Sequence, residues 1–278
     1  MVFIKPTFPI VPLKQRDITL KTNQLVSGNI IRLQGNWRRN LRLKMQTKPK
    51  ECKISVVIPA FNEENAIALV LQEIPKEWVD LVVVVDNNSS DKTKQKAKAA
   101  GATVLEESFQ GYGASCLCGI NYLNQQDIKS DIIVFLDADY SDYPAQLPEL
   151  VLPIIENKAD MVIGSRALGV REQGSMTVPQ VFGNWLATSL LRLFYNVKFT
   201  DLGPFRAIRT SSLNALNMQD KTYGWTVEMQ VKAAKQKIRS IEVPVNYKNR
   251  VGVSKISGTV KGTFLAGYKI LFTIFKNL

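Results

Sequence analysis

Two aspartates, Asp137 and Asp139, are separated by one alanine and directly follow the apolar run IIVFL at residues 132–136. Because such a run predicts a buried strand, both carboxylates are expected at the carboxyl end of that strand. Two hard oxygen ligands at this spacing suit Mg²⁺ or Mn²⁺ that bridges a diphosphate. The sequence contains no histidine, which excludes histidine acid/base catalysis, Ser-His-Asp and Cys-His nucleophiles, and histidine metal ligands. An ordinary acidic loop after a strand is the other interpretation of the pair.

Polar clusters also follow three other predicted strands, at residues 54–58, 81–85 and 102–105. The first strand is followed by Asn62 and Glu63, the second by the segment 86–91, and the third by the region of Glu106. The carboxyl ends of the strands form the ligand crevice of an open α/β sheet, so the four clusters are expected to converge.

Short β-branched runs alternate with helical periods from residue 52 onward, which predicts an α/β fold with a mostly parallel sheet. Apolar residues recur at helical spacing after residue 62, and Asn62 offers an N-cap oxygen for that helix. Gly101 is expected at the C′ position of the next helix, and the turn at residues 111–113 is expected to open a third.

The basic charge of the chain is concentrated at its N-terminus. The formal net charge is +12, and residues 1–50 hold eleven Lys and Arg against one acid, whereas residues 51–278 hold 25 basic and 23 acidic residues. We therefore interpret residues 1–50 as a basic extension. Its segment 36–45 (NWRRNLRLKM) has the pattern either of a helix on an anionic membrane surface or of a solvated arm.

Two further segments have apolar patterns that allow two interpretations each. Residues 259–278 show a helical apolar stripe with lysines at intervals, typical of a helix that lies in a membrane interface or docks on the domain. A loop at 167–180 leads into an apolar segment at 181–195, which could admit a lipid chain or form a core helix. We expect no transmembrane helix and no signal peptide, and the three cysteines indicate reduced thiols.

Six motifs in a fixed order resemble those of family 2 glycosyltransferases, in particular the dolichyl-phosphate mannosyltransferase and polyprenyl-phosphate glycosyltransferase branch. They are VVIPAFNEENAI, VVVDNNSSDKT, GYGASC, FLDADYSDYP, the GSR at residues 164–166 and the RVGVSK at residues 250–255. The resemblance covers residues 52–258 and implies the GT-A fold, a Rossmann-like, mostly parallel sheet with helices on both faces. We divide the chain into the extension 1–50, a glycosyltransferase domain at 51–258 and a C-terminal amphipathic helix at 259–278.

The resemblance implies which residues bind the nucleotide and the cation. The base and ribose pocket would be lined by Pro59, Ala60, Asn62 and Glu63, with Asp86 bonded to the base and Asp91 supporting its loop. Asp137, Ala138 and Asp139 match the family's D-x-D, in which Asp137 and Asp139 would hold Mn²⁺ or Mg²⁺, Asp139 directly. Ser141 stands where many relatives carry a glutamine ligand, and Tyr112 stands where they carry a lysine.

The resemblance also implies which residues meet the diphosphate and the acceptor. Arg166 would reach a donor or acceptor phosphate, and Arg250, Ser254 and Lys255 would close over the diphosphate. Arg206 and Glu228 stand where the family keeps polar residues near the acceptor. Asp201 would act as general base if the acceptor were a hydroxyl group, whereas a lipid phosphate is already an anion and requires no base.

These features predict an inverting, metal-dependent glycosyltransferase with a UDP- or GDP-sugar as donor and a polyprenyl or dolichyl phosphate as acceptor. We expect a peripheral protein at the cytoplasmic face of the membrane, without nucleic acid as partner. One alternative is the same donor chemistry with a hydroxyl acceptor, in cell-surface polysaccharide or glycolipid synthesis. Another is a non-catalytic protein that binds a nucleotide, or that binds nucleic acid through its basic extension.

Overall fold

Strands and helices alternate along the part of the chain that the computed structural model describes, residues 48–252 and 260–277. The strands are β1 (Ile54–Ala60), β2 (Leu81–Asp86), β3 (Thr103–Glu106), β4 (Ile132–Phe135), β5 (Met161–Ser165), β6 (Arg206–Arg209) and β7 (Ser240–Pro244). The helices are α1 (Ile67–Glu73), α2 (Thr93–Ala99), α3 (Tyr112–Gln125), α4 (Leu147–Ile155), α5 (Val178–Tyr195), α6 (Thr210–Leu216), α7 (Trp225–Lys235) and α8 (Val260–Lys276). The predicted extension lies outside the described residues except for its last three.

All these strands belong to one sheet, in the order β3-β2-β1-β4-β6-β5-β7. Strands β1 to β4 run parallel, as do β5 and β7, while β6 is antiparallel to both of its neighbours. The predicted mostly parallel sheet is therefore confirmed, and β6 and β7 add strands that the sequence patterns did not indicate. The parallel arrangement brings the carboxyl ends of β1, β2 and β4 to one edge of the sheet, as expected.

Both faces of the sheet are covered by helices, because the central strands are apolar on both sides. On one face, Ile58 of β1 belongs to a buried cluster with Val70 of α1 and Leu150 of α4. On the other face, Val57 of the same strand belongs to a cluster with Ile120 of α3. The near-continuous apolar composition of these strands follows from this two-sided burial.

The loop after β1 differs from its predicted form. The sequence predicts Asn62 as the cap of the first helix, but α1 begins at Ile67 and its N-cap position, Ala66, makes no side-chain hydrogen bond. Asn62 instead has a left-handed backbone (φ 54°), and its side-chain oxygen accepts a hydrogen bond from the Ser90 amide at 2.8 Å. This hydrogen bond connects the loop after β1 with the loop after β2, and Asn62 does not cap a helix. Gly101 (φ 89°) follows α2 at the predicted C′ position.

Helices α5, α7 and α8 pack together beside the sheet. Ala187 and Leu191 of α5, Val227 of α7 and Ile274 of α8 form one buried cluster. One side of α5 therefore packs in the core, as the interpretation of residues 181–195 as a core helix predicts. None of the helices in residues 48–252 and 260–277 combines the length and the apolar character needed to cross a membrane.

The burial of β4 generates a prediction about stability. Ile133 is fully buried, so I133A removes buried methyl groups, leaves a cavity and should lower the free energy of unfolding by about 2–5 kcal/mol. The matched variant I128A removes the same atoms from a side chain that is 72% exposed. It should change the free energy of unfolding by less than about 0.5 kcal/mol. Urea denaturation followed by circular dichroism measures both. Equal losses in the two variants would contradict the described packing.

Candidate functional site

Asp86 ends β2 beside Ala60 of β1, its partner in the sheet register. Its carboxylate Oδ2 accepts a hydrogen bond from the Ser89 amide at 3.2 Å. The other oxygen, Oδ1, is buried and makes no hydrogen bond within the described residues. Pro59, which precedes Ala60, is half-buried at the same edge. Because a buried oxygen without a donor costs free energy, Asp86 Oδ1 is available to accept a hydrogen bond from an N–H group of a ligand.

Hydrogen bonds join the loops that follow β1 and β2. The Glu63 amide donates to the Thr93 hydroxyl oxygen at 2.7 Å, and the Glu64 amide donates to Asp91 Oδ2 at 3.1 Å. The other carboxylate oxygen of Asp91 accepts a hydrogen bond from the Thr93 amide at 2.9 Å. Asp91 therefore fixes the loop after Asp86.

The glycine turn at residues 111–113 is filled by protein atoms. The Ala114 amide donates to the Lys221 carbonyl oxygen at 2.9 Å, and the Gly113 amide donates to the next carbonyl of the same loop at 3.3 Å. A Cβ atom on Gly113 would lie 1.9 Å from the Asp220 carbonyl oxygen, so the close approach of this loop requires glycine. Although amides at a helix N-terminus commonly bind phosphate, these two are already bonded.

Asp137 and Asp139 lie just beyond β4 in different surroundings. Asp137 Oδ1 is buried without a hydrogen-bond partner in the described part of the chain. Burial, together with the charge of Asp139, raises the pKa of Asp137 to about 7. Asp139 is oriented by Ser141, whose amide and hydroxyl donate to Oδ1 at 2.9 and 2.6 Å. Ala138, between the two aspartates, packs in the core and is 3% exposed.

The two aspartates offer the donor atoms of a site for a hard cation. Their ligand atoms are carboxylate oxygens, which Mg²⁺ and Mn²⁺ prefer. Within residues 48–252 and 260–277, no group of three or more His, Cys, Asp or Glu is arranged to hold a metal ion. A cation at Asp137 and Asp139 would therefore need oxygens from a ligand, as Mg²⁺ does when one or two carboxylates and substrate phosphates hold it.

Arg250 joins the two sides of the crevice. Its Nη2 atom lies 2.6 Å from Glu63 Oε1, and its Nη1 atom lies 3.3 Å from Asp139 Oδ2. The guanidinium thus connects the loop after β1 with the aspartates after β4, as the convergence of the strand ends predicts. Ser254 and Lys255, which the resemblance places on the same segment, lie outside the described residues.

The segment that follows β7 lies along the loop of the two aspartates. The Val251 amide donates to the Asp139 carbonyl oxygen at 3.0 Å, and Tyr247 forms an antiparallel bridge with Asp142. These main-chain contacts on either side hold the backbone of Arg250 next to Asp139.

Arg166 follows β5 and forms an ion pair with Asp201 through two hydrogen bonds. Its Nε and Nη2 atoms lie 2.8 and 2.7 Å from the two carboxylate oxygens, and its amide donates to Oδ2 at 2.7 Å. The guanidinium carbon lies 5.0 Å from the centre of the Tyr247 ring, a cation–π contact. Burial opposes ionisation of Asp201, but the charge and hydrogen bonds of Arg166 outweigh it, and the pKa of Asp201 lies below its usual value. A buried carboxylate held in this way is a fixed anion and a poor proton acceptor.

Asp142 adds another buried carboxylate to the same region. It is 1% exposed, and neither carboxylate oxygen has a hydrogen-bond partner among the described residues. Burial raises its pKa well above the usual value, and the charges of Asp137 and Asp139 add to this effect.

Arg206 and Glu228 point into the protein, which corrects the expectation that they face the acceptor. Arg206 is fully buried, its guanidinium donates to three backbone carbonyl groups, and burial lowers its pKa to about 10. Glu228 accepts hydrogen bonds from the amides of Gln219 at 3.0 Å and Asp220 at 2.8 Å, in the loop that packs on the glycine turn. Because buried charged groups require hydrogen-bond partners, both side chains serve the fold around the site.

Several residues have roles at the site that the sequence did not indicate. Glu242 of β7 accepts a hydrogen bond from the Asp201 amide at 3.0 Å, and Asn87 joins the loops after β2 and β3. Tyr247 supports the guanidinium of Arg166. The available signal for Tyr247 is its place in the polar run NYKNR at residues 246–250, between an apolar segment and Arg250.

Comparisons with known proteins identify relatives along most of the chain. The model of the family described as glycosyl transferase family 2 matches residues 55–216. A protein of Mycobacterium tuberculosis named as an uncharacterized glycosyltransferase is 33% identical over 216 residues, which cover 77% of this chain and 94% of that protein. The undecaprenyl-phosphate mannosyltransferase of Micrococcus luteus is 29% identical over 222 residues, which cover 76% of this chain and 90% of that enzyme.

The fold is also similar to solved structures of glucosyl-3-phosphoglycerate synthase from Mycobacterium tuberculosis. The complex with Mn²⁺, uridine diphosphate and glucosyl-3-phosphoglycerate has a TM-score of 0.64 at 20% identity, and covers 85% of this chain and 81% of that one. The complex with Mg²⁺ and uridine diphosphate has a TM-score of 0.62 at 21% identity, with the same coverage. This likeness confirms the α/β GT-A fold. Because the family model spans more than half of the chain and the mycobacterial relative is 33% identical over most of its length, the chain belongs to glycosyl transferase family 2.

Proposed function

We propose that this glycosyltransferase moves a sugar, with inversion, from a nucleoside diphosphate to a polyprenyl phosphate, with Mn²⁺ or Mg²⁺ at Asp137 and Asp139. The observation that carries the acceptor assignment is the ion pair between Arg166 and Asp201, which makes Asp201 a fixed anion rather than a base. The relative from Micrococcus luteus is named an undecaprenyl-phosphate mannosyltransferase, which supports the same class of acceptor.

The donor nucleotide is assigned to the ends of β1 and β2. Asp86 Oδ1, a buried oxygen without a donor among the described residues, would accept a hydrogen bond from a ring N–H of the base. Uracil and guanine both present such a group, so the donor is a UDP- or GDP-sugar. The rest of the pocket is assigned, from the resemblance, to Pro59, Ala60, Asn62 and Glu63, with Asp91 as support.

The proposed cation fits the two aspartates because both offer hard oxygens and one oxygen of Asp137 has no hydrogen-bond partner in the described part of the chain. When bound, such a cation supplies Lewis-acid stabilisation of a departing diphosphate. The complexes of glucosyl-3-phosphoglycerate synthase with uridine diphosphate and Mn²⁺ or Mg²⁺ support this choice of ions.

Basic side chains are assigned to the diphosphate and to the attacking phosphate. Arg166 bonds Asp201 through Nε and Nη2, so its Nη1 atom lies outside that pair and is assigned to a phosphate oxygen. Arg250 reaches the crevice with a side chain that is 26% exposed. Lys255 and Ser254 are assigned to the diphosphate from the resemblance.

The proposed reaction requires no general base, because the attacking phosphate has no proton to lose. An oxygen of the acceptor phosphate forms a bond to the anomeric carbon while the bond from that carbon to the donor diphosphate breaks. The nucleoside diphosphate leaves with the electron pair, and the guanidinium groups stabilise the charge that develops on it. A hydroxyl acceptor would require removal of a proton, which the ion pair of Asp201 with Arg166 opposes.

An apolar groove at the start of α5 fits the hydrocarbon chain of the acceptor. Its lining consists of Met176, Val178, Val181, Phe182 and Trp185. Asn184, on the same helix, bonds the backbone on both sides of Asp201, donating to the Thr200 carbonyl at 2.8 Å and accepting from the Leu202 amide at 2.9 Å. The helix that lines the groove therefore also contacts the segment that carries Asp201.

The outer sides of α5 and α8 together form an exposed apolar surface. Its exposed aromatic residues are Phe182, Trp185, Phe194, Tyr268, Phe272 and Phe275. Phe194 and Phe275 pack edge to face at 5.6 Å and so join the two helices. Neither helix contains an acidic residue, so this surface is compatible with anionic lipid.

We propose that this surface makes peripheral contact with the cytoplasmic face of a membrane. In this arrangement residues 51–258 are the catalytic domain and residues 259–278 are an interfacial helix. The basic extension, residues 1–50, would add electrostatic attraction to anionic lipid.

Substitution of Asp139 tests the donor chemistry. D139A deletes one of the two cation ligands, so sugar transfer with Mn²⁺ and a short polyprenyl phosphate should fall by at least about a hundredfold. Asp127 is exposed in a loop, and D127A is the matched control that should keep the full rate. Release of nucleoside diphosphate from a panel of UDP- and GDP-sugars, with and without the lipid, is the measurement.

Two outcomes of this assay would contradict the proposal. If a donor binds but lipid phosphate never stimulates its turnover, the acceptor is a hydroxyl compound and the acceptor assignment is wrong. If D139A and D127A are equally active, the aspartates after β4 do not hold the cation.

The exposed surface of α5 predicts lipid binding. F182S/W185S removes two large exposed apolar side chains, so binding to vesicles of phosphatidylcholine and phosphatidylglycerol should weaken by about tenfold or more. I128S changes a side chain that is 72% exposed in a loop and should bind as the wild type does. Co-sedimentation with vesicles measures both, and unchanged binding of F182S/W185S would exclude α5 from the membrane contact.

A further inference from the structure

Arg250 contacts the same carboxylate to which we assign the cation. Its Nη1 atom lies 3.3 Å from Asp139 Oδ2, and its Nη2 atom lies 2.6 Å from Glu63 Oε1. The Glu63 and Asp139 side chains are only 9% and 13% exposed, so solvent screens these ion pairs weakly.

The geometry of Asp139 directs a cation to the oxygen that Arg250 contacts. Oδ1 accepts two hydrogen bonds from Ser141, from its amide at 2.9 Å and its hydroxyl at 2.6 Å. A carboxylate oxygen has two lone pairs, and both lone pairs of Oδ1 are therefore engaged. A cation at Asp139 would bind Oδ2, beside the guanidinium.

The backbone of Arg250 is held close to this oxygen. The Val251 amide donates to the Asp139 carbonyl oxygen at 3.0 Å, and the Lys248 amide donates to the Ser141 carbonyl oxygen at 2.9 Å. With its main chain fixed on both sides, Arg250 is able to turn its side chain but remains near Asp139. A divalent cation on Oδ2 would then lie within a few ångströms of a second positive charge.

We infer that Arg250 opposes cation binding until a diphosphate is present, and that it thereby couples the cation to the donor. Two positive charges at this separation repel, and partial burial strengthens the repulsion. A diphosphate between the two positive charges makes the net interaction attractive, because both the cation and the guanidinium then attract its oxygens. Linkage requires that the cation raise the affinity for the nucleotide by the same factor as the nucleotide raises the affinity for the cation. This inference rests on the cation site of the proposed function.

The test measures Mn²⁺ binding to the full chain without nucleotide, from the electron paramagnetic resonance signal of free Mn²⁺. R250Q removes the charge, and should bind Mn²⁺ about tenfold more tightly than the wild type. R250K keeps the charge and should remain near the wild type. R239Q is the matched control, because Arg239 pairs with Asp160 on the surface, and should leave the affinity unchanged.

The second arm repeats the titrations with UDP and, in parallel, with GDP. The nucleotide should raise the Mn²⁺ affinity of the wild type by a larger factor than that of R250Q. D139N should lose Mn²⁺ binding in both arms. Thermal unfolding of each variant, followed by circular dichroism, verifies that the variants are folded.

The outcomes separate this inference from the proposed function. If R250Q binds Mn²⁺ no more tightly than the wild type without nucleotide, Arg250 does not oppose the cation and the inference is wrong, whatever the nucleotide does. If R239Q tightens Mn²⁺ binding as much as R250Q, the tighter binding results from the lower net charge of the protein. The inference about Arg250 is then also wrong. If D139N binds Mn²⁺ as well as the wild type, the cation site of the proposed function fails, and the inference fails with it.

Discussion

The concentration of negative charge at the carboxyl ends of the strands is the constraint on which the rest of the site depends. The acidic side chains gathered there are Glu63, Asp137, Asp139, Asp142 and Asp201. Burial, and after it the charge of a neighbouring carboxylate, raises the pKa of such a group, as Asp137 shows with a pKa of about 7. Arg166 and Arg250 offset part of this charge, one on Asp201 and the other between Glu63 and Asp139. The crevice therefore suits a ligand that combines a cation with anionic oxygens, because the carboxylates attract the cation and the guanidinium groups attract the oxygens.

The fold uses many polar groups near the crevice that could otherwise be taken for ligand-binding groups. The first amides of α3 are bonded to the loop at residues 220–222, and Glu228 supports that loop. Arg206 is bonded to backbone carbonyl groups, and Glu242 accepts hydrogen bonds from the segment of Asp201. A buried polar group that already has its partners contributes rigidity, whereas one without a partner remains available to a ligand. Asp86, Asp137 and Asp142 each have a buried carboxylate oxygen without a partner among the described residues, so they remain available to a ligand. Arg206 and Glu228 already have their partners and contribute rigidity.

The sequence predicted the strand ends well because the apolar runs of β1, β2 and β4 stop where the polar residues begin. Asp86, Asp137 and Asp139 follow directly from that pattern. β6 could not be predicted in the same way, because it has four residues and begins and ends with arginine. The orientations of Arg206 and Glu228 depend on packing between segments distant in sequence, which a local motif does not contain. The same holds for Asn62, whose partner Ser90 is 28 residues away along the chain.

The charges of the crevice also determine which acceptor would be compatible with it. Two nitrogen atoms of Arg166 donate to Asp201, so the pair is close to neutral as a unit, and the two N–H groups of Nη1 remain for a further anion. A phosphate group would meet those donors, whereas a neutral hydroxyl group would bring no charge to them and would still require a base. On the other side of Asp201, Asn184 connects the pair to a helix whose exposed side is apolar. An acceptor with an anionic head and an apolar tail therefore satisfies both surroundings at once, and this is the chemical character of a polyprenyl phosphate.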